Sequence, residues 1–356
     1  MDRPGKRLIS IVIPAYNAAP FIESTVRSAM GQTYRELEIL VVNDGSTDKT
    51  GQIVDKLALE DARIRQILIP NGGVARARNV GIEESRGELL AFLDADDLWH
   101  PSKIALQAEA LAGPGGQEYG ACYAFHRTID GDDRIVSLPR GVACSGYILA
   151  RHLFKKFVGN GSSIMVRRWL AIEVAGYDHR YAELGLGGCE DLDFELKLAA
   201  REKIVAVPQY LVGYRRYEGN MSSNRPRMAR ALVATIKNHI AANPQLPSKA
   251  RRYSLAAAYE WASRQSWRSH DYYSAARYFS MVPLFDPVRG ILVLLTGVAR
   301  YTLGIVQSGE EALDAPPLFG DLSPTQPGSQ TKSFERHRLS QLESIDLALY
   351  ARLARN

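Results

Sequence analysis

The sequence predicts an α/β fold: a wound, mainly parallel central sheet with helices on both faces, followed by an α-helical C-terminal region. Three observations carry this. Short, continuously apolar runs recur at residues 8–14, 38–42, 64–69 and 88–93, as strands buried on both faces require. The first three of these runs are each followed by a stretch with helical spacing of apolar residues. The residues just after each run are mostly polar or glycine, the composition expected where a parallel sheet binds its ligand.

Residues 8–14 make a β-rich run, and 18–31 carries Phe21, Val26, Ala29 and Met30 at helical spacing. The strand at 38–42 ends in the turn Asn43-Asp44-Gly45-Ser46, after which Thr47 or Asp48 can cap a helix through Leu57. Residues 64–69 read as a third strand, 74–85 as a helix and 88–93 as a fourth strand. The strand ends are followed by Tyr16-Asn17, Asp44-Gly45, Asn71-Gly72-Gly73 and Asp94-Ala95-Asp96-Asp97, which should converge on one rim. From 113 to 189 the pattern is less regular and richer in glycine; 190–201 returns to helix, with Leu192, Leu196 and Ala199 on one face. Beyond Asn224, helices are expected at 228–242, 248–266, 270–282 and 287–306, punctuated by Pro244, Pro247 and Pro283. The proline-rich polar stretch 307–332 reads as a linker, and 334–353 as a last amphipathic helix.

A chain of 356 residues, 46% hydrophobic and 23% charged, can hold an enzymatic domain plus an appendage. Cys122, Cys144 and Cys189 are far apart and form no CxxC pair, which points away from disulfides and zinc and toward the reduced cytoplasm. The first apolar stretch is too short for a signal sequence, so secretion is not expected. The longest, 291–306, contains Arg300 and falls short of the about 20 residues that a spanning helix needs. Residues 1–223 carry 27 Lys and Arg against 29 Asp and Glu, whereas 224–356 carry 17 against 10. A basic appendage suits an anionic partner such as a lipid headgroup surface; a solvated helical face is the alternative. Nucleic acid is not expected, because no recognised binding motif accompanies the charge.

Asp94-Ala95-Asp96-Asp97 is the sharpest chemical feature. Carboxylates are hard oxygen ligands suited to Mn²⁺ or Mg²⁺, and a diphosphate would supply further oxygens. Its competitor is capping, which Asp97 before Leu98 could do alone. Asp44 can accept hydrogen bonds from a nucleotide base or close an Asx-turn. Arg76 and Arg78 could face a diphosphate or solvent. Glu190-Asp191 opens a helix after Gly185-Leu186-Gly187-Gly188; a carboxylate there can be a general base or simply complement the helix dipole. Neither HExxH, GxSxG, a Walker A loop nor GxGxxG occurs.

In this order the pieces resemble glycosyltransferase family 2. The matching segments are Ser10-Ile-Val-Ile-Pro-Ala-Tyr-Asn17, Val41-Val-Asn-Asp-Gly-Ser-Thr-Asp48, Gly73-Val-Ala-Arg-Ala-Arg-Asn79 and Ala91-Phe-Leu-Asp-Ala-Asp-Asp-Leu-Trp-His-Pro101. Further on come Gly161-Ser-Ser-Ile-Met-Val-Arg-Arg168, Val174-Ala-Gly-Tyr-Asp178 and Glu190-Asp191. The resemblance covers about residues 8–223 and implies the GT-A fold and inverting transfer of one sugar from a nucleotide-diphosphate sugar to a glycan or lipid-linked acceptor. It implies that Pro14, Ala15 and Tyr16 line the nucleotide base, with Asp44 bonded to it. Arg78, Asp94 and Ala95 fall with the donor, Asp96 with the metal, Asp191 is the base and Glu190 helps place the acceptor. One departure stands out. Where family members often carry Tyr-Arg-x-His, this chain has Tyr214-Arg215-Arg216-Tyr217. Tyr217 is a poor replacement ligand, and Arg215 or Arg216 becomes the candidate for stabilising the diphosphate.

The organisation that follows is a transferase domain at 1–223, with a nucleotide-sugar half at 8–112 and an acceptor half at 113–223. A helical region at 224–306, a linker at 307–332 and a helix at 333–356 complete it. The basic C-terminal helices are read either as a peripheral contact with the inner face of the membrane or as packing against the enzyme or a second copy. Cell-surface polysaccharide synthesis is the implied setting. The rivals are a nucleotidyltransferase and a non-catalytic sugar-nucleotide-binding or scaffold protein. The first normally brings a glycine-rich, lysine-bearing signature that is missing here. The second would not need both Asp96 and Asp191.

Overall fold

The computed structural model describes residues 7–113, 115–138, 141–217, 219–220, 223–302, 318–319 and 333–353. The first half runs β1 (Ile9–Ala15), α1 (Ile22–Met30), β2 (Leu37–Asp44), α2 (Thr50–Glu60), β3 (Ile64–Ile69), α3 (Val74–Glu84) and β4 (Leu89–Phe92). Then come β5 (Leu98–Trp99), α4 (Lys103–Ala112), β6 (Tyr119–Ile129), β7 (Ile135–Ser137), α5 (Leu149–Phe154), β8 (Ile164–Arg167), α6 (Arg168–Glu173), α7 (Arg180–Glu183), α8 (Glu190–Ala199) and β9 (Lys203–Arg215). Helices α9 (Arg225–Ala242), α10 (Ser248–Arg268), α11 (Tyr272–Phe285), α12 (Pro287–Thr302) and α13 (Ser333–Leu353) follow.

The strands form one sheet in the order β3-β2-β1-β4-β8-β6-β9-β5, with β7 beside β6. β3, β2, β1 and β4 are parallel. β8 runs antiparallel between β4 and β6, β6 pairs parallel with β9, and β5 lies antiparallel on β9. All seven residues of β1 are buried, which is why its sequence is apolar rather than alternating. Ile9, Ile11 and Ile13 face a cluster with residues of α1, α2 and α4, while Val12 faces the opposite cluster with α3. Helices therefore cover both faces. The register sets Ala15 opposite Asn43 and Asp44 opposite Ile69, so the loops after β1, β2 and β3 leave from one edge.

Differences from the sequence reading have local causes. Helix α1 starts at Ile22 rather than 18, because the Ala18 and Ala19 N–H groups donate to Thr50 Oγ1 (2.8 Å) and Asp48 Oδ2 (3.0 Å). The stretch 113–189, expected to be irregular, contains β6 and β8, and β9 was not anticipated at all. Small residues such as Gly120, Ala121 and Ala124 dilute the β signal of β6. In β9, Pro208 falls where the register jumps from Ala124↔Val207 to Phe125↔Tyr210, the irregularity a proline inside a strand requires. Helix α9 starts at Arg225, capped by Asn224 Oδ1 accepting from the Arg227 N–H at 3.1 Å. Helix α11 passes through Pro283 in its last turn instead of stopping before it.

The C-terminal helices share the core on the α3 face. Val233, Ile236, Tyr253, Ala257, Val282, Leu342 and Leu349 belong to the same cluster as Leu153, Phe154 and Phe194. Helix α13 docks on α5: Asp346 accepts from the Ala150 N–H (2.6 Å) and pairs with Arg151 (2.8 Å), and Tyr350 stacks on Tyr147. For this helix, packing against the rest of the chain is the observed arrangement. On α12, by contrast, Val288, Ile291, Leu294 and Leu295 are each more than half exposed. Residues 303–306 of the helix expected there lie outside the described residues. So does the expected linker 307–332, apart from Leu318 and Phe319; Phe319 is buried against Leu98, Ile129 and Ile135.

Candidate active site

The strand-end loops are tied to one another through backbone N–H groups. Asn17 sits in the left-handed region (φ 48°) that asparagine tolerates better than most residues. Its side-chain oxygen accepts from the Thr47 N–H (2.8 Å), and its own N–H donates to Ser46 Oγ (3.1 Å). The Asp44 carboxylate, 2% exposed, accepts from the Gly72 and Gly73 N–H groups, each at 2.8 Å. Gly73 has φ 87°, which leaves little choice but glycine. Asp44 thus clamps a neighbouring loop instead of closing an Asx-turn in its own. A carboxylate with about four lone-pair positions keeps acceptor capacity beyond these two bonds.

These loops surround a cleft of about 720 Å³ at the carboxyl ends of the parallel strands. Most of the site residues singled out from the sequence line it: Pro14, Ala15 and Tyr16, then Asp44, Arg78, Asp94, Ala95 and Asp96, then Glu190 and Asp191. All four rim segments contribute. Arg76 is exposed and does not line the cleft.

The carboxylates of the acidic loop after β4 have different partners. Asp94 pairs with Arg78, which is 5% exposed and stacks its guanidinium over Tyr177 at 4.9 Å. Burial alone would lower the Arg78 pKa, but the charge of Asp94, then Tyr177, the Asp94 hydrogen bond and Asp191 together outweigh it and hold the group above its ordinary value. Gly161 leaves room for this pair: a Cβ there would lie 2.7 Å from Arg78 Nη2 and 3.2 Å from Asp94 Oδ2. Asp97 caps no helix. It is fully buried and accepts from Asn160 Nδ2 (2.8 Å), Ser162 Oγ (2.6 Å) and the Arg215 N–H (2.9 Å), tying the acidic loop to β9 and the 160–162 loop.

Asp96 faces the cleft. Burial, then the nearby charge of Asp94, pushes its carboxyl up to about 6, while the Tyr217 hydroxyl acts on it as a hydrogen-bond donor in the opposite direction. Crowded carboxylates raised in this way, offering only hard oxygens, fit a divalent cation. Among the described residues no cluster of three His, Cys, Asp or Glu side chains could enclose one. Arg215 does not serve the cleft. Its guanidinium bonds the carbonyls of Asp96 (2.6 Å) and Asp130 (2.7 Å) and pairs with Asp133, fixing the acidic loop from behind. Tyr217, in the place of the expected histidine, lines the cleft and packs on Phe21, ring centroids 5.0 Å apart.

On the opposite wall, α8 opens with Glu190 and Asp191. Glu190 accepts from the Gly188 N–H at 2.6 Å, and burial pushes its carboxyl up. Asp191 accepts from Lys156 Nζ at 2.5 Å and from the Leu192 N–H at 2.7 Å. Burial would raise its carboxyl, but Lys156 and then Arg78 hold it below its ordinary value. Lys156 also reaches Glu195 (3.6 Å), whose other oxygen meets His152 (2.9 Å). Sequence reasoning missed Lys156 and Asn160 and gave no role to Tyr177 and Ser162, although both lie in segments that match the family. All fall in the stretch that had no periodicity to interpret, and Lys155-Lys156 reads there as ordinary surface charge.

Together, the wound sheet and the acid-lined cleft at its strand ends define a GT-A glycosyltransferase fold. Residues 10–167 match the family model described as "Glycosyl transferase family 2". The chain is 48% identical over 90 residues to the "Uncharacterized glycosyltransferase EpsJ" of Bacillus subtilis (strain 168), covering 25% of this chain and 26% of that protein. It is 42% identical over 130 residues to a chondroitin synthase of Pasteurella multocida (strain Pm70), covering 36% of this chain and 13% of that one. The chain therefore spans about a quarter or less of the length of these relatives. In fold it resembles the mannosyltransferase PcManGT from Pyrobaculum calidifontis in complex with GDP-Man and Mn²⁺, with a TM-score of 0.55, 19% identity and 98% and 87% of the two chains covered. It also resembles S. aureus TarS 1-349 in complex with UDP-GlcNAc, with a TM-score of 0.52, 16% identity and coverage of 89% and 100%.

Proposed function

We propose that this protein is an inverting glycosyltransferase that moves one sugar from a nucleotide-diphosphate sugar to a hydroxyl of a glycan or lipid-linked acceptor. The observation that supports this best is that Asp96 and Asp191, far apart in sequence, line one cleft. The nucleotide sugars named for PcManGT and TarS favour such a donor, and the chondroitin synthase favours polysaccharide synthesis.

In this reading Pro14, Ala15 and Tyr16 flank the nucleotide base, with Asp44 bonded to it through a free lone pair. Arg78 orients Asp94 toward the ribose or sugar, beside Ala95. A cation (Mn²⁺ or Mg²⁺) held by Asp96 would neutralise charge on the departing diphosphate. Asp191, kept ionised by Lys156, accepts the proton of the acceptor hydroxyl as its oxygen attacks the anomeric carbon, and Glu190 helps place the acceptor. The exposed α12 row, within the basic C-terminal third, is proposed to rest on the inner membrane surface. Among the described residues no helix is long and apolar enough to cross a membrane.

Incubating the protein with UDP- and GDP-sugars and Mn²⁺, without acceptor, tests the reading. Slow release of nucleoside diphosphate is expected with one of them, and Asp96→Asn should abolish it. A chain that binds donors but releases nothing would be a sugar-nucleotide-binding protein instead.

A further inference from the structure

A second cavity, of about 380 Å³, lies beyond Asp191. Gly188, Asp191 and Met228 line both it and the main cleft, so the two spaces share the wall that carries the candidate base. Its far side comes from the C-terminal helices: Glu260, Trp261 and Arg264 of α10 and Arg289 of α12. All four lie outside residues 10–167, the part that matches the family.

We infer that this cavity is the acceptor-saccharide subsite, with Trp261 as its stacking platform. The inference rests on the glycosyltransferase reading and extends it to the acceptor. In an in-line displacement the attacking hydroxyl approaches from the side away from the diphosphate and within reach of the base. With the donor at the Asp94–Asp96 end, that approach leads past Asp191 into the second cavity. The wall there suits a sugar. Trp261, 36% exposed, offers an aromatic face for the C–H side of a pyranose ring. Beside it, Glu260 pairs with both Arg264 and Arg289, giving planar acceptors and donors for ring hydroxyls. Arg289 Nη1 is buried with no hydrogen-bond partner among the described residues, a donor that a sugar hydroxyl would satisfy. The C-terminal helices thus set the choice of acceptor, while the family-matching segment handles the donor.

The test is binding of the full chain to a printed array of pyranose oligosaccharides in the presence of Mn²⁺ with UDP or GDP. The wild-type protein is expected to bind at least one saccharide. Trp261→Ala and Arg264→Ala should each weaken that binding by about tenfold or more, and Trp261→Phe should largely keep it. Arg264 is 46% exposed, so its loss threatens folding little, and nucleotide titration of each variant verifies an intact donor side. Saccharide binding that is unchanged in both alanine variants, or absent in the wild-type protein, overturns the inference. Nucleoside diphosphate release from the donor sugar without acceptor is measured separately; its absence removes the transferase reading, whatever the array shows.

Discussion

The two walls of the cleft are built on different physics. The donor-side wall is held mainly by backbone hydrogen bonds and close packing. Asp44 binds the N–H groups of Gly72 and Gly73, Asp97 gathers three donors, and Gly161 gives the Arg78–Asp94 pair its space. The base-side wall is held by charge. Asp191, Lys156, Glu195 and His152 form a chain of neighbouring ionisable groups, on which burial and the Lys156 charge act together. Damage to the first wall should act chiefly through shape, with pH a secondary factor. Damage to the second should depend on it.

The largest effect is expected from Asp191→Asn. Removing a positioned general base costs roughly 10²–10⁴-fold in rate. Transfer kcat should fall by that order while nucleotide affinity, measured by calorimetry, stays within about twofold. A variant that transfers at the wild-type rate would remove Asp191 from the mechanism. Next comes Gly161→Ala. The added methyl must displace Arg78 or Asp94, and misplacement of about 1 Å at a reacting centre can cost about 10²-fold. The fall should be present across the pH range, since it comes chiefly from shape.

Lys156→Met should show the opposite behaviour. Burial pushes the Asp191 carboxyl up, and Lys156 is the strongest influence pulling it back down. Without Lys156, burial is opposed mainly by Arg78, so the carboxyl titrates at a higher pH. Since the base works ionised, the acid limb of kcat/KM should move to higher pH, with activity recovering on the alkaline side. An acid limb in the same place as wild type would mean that Lys156 only packs there.

The same division explains what could be read from the sequence. The donor-side wall was legible because each of its loops follows a short apolar strand, and Tyr16, Asp44 and Asp94–Asp96 are chemically conspicuous at those ends. The candidate base was visible through its glycine-rich approach and through the family resemblance. Lys156 was not, because its meaning depends on α5 being laid beside α8 by tertiary packing. Strand β9 was hidden by Pro208, and with it the true role of Arg215, whose guanidinium supports the acidic loop instead of meeting a diphosphate. For helix α13 the sequence leaves membrane docking and packing against the enzyme both open, because its partners Ala150 and Arg151 lie nearly two hundred residues earlier.

The smallest effect concerns α12, which belongs to neither wall. Its neighbours α10 and α13 contribute fully buried residues such as Ala256 and Leu342, whereas Leu295 is 62% exposed. An exposed leucine with few contacts contributes little to folding, so Leu295→Ser should change stability by no more than about 0.5 kcal/mol and leave the melting temperature nearly unmoved. A membrane role would show elsewhere, since each apolar side chain buried at a lipid surface adds to binding and basic residues add attraction to anionic headgroups. Co-sedimentation with vesicles containing phosphatidylglycerol should therefore weaken in Ile291→Ser/Leu295→Ser while catalysis on a water-soluble acceptor persists. If wild type and variant sediment alike, the α12 row is not the membrane contact, and the basic charge of the C-terminal third is a solvated surface.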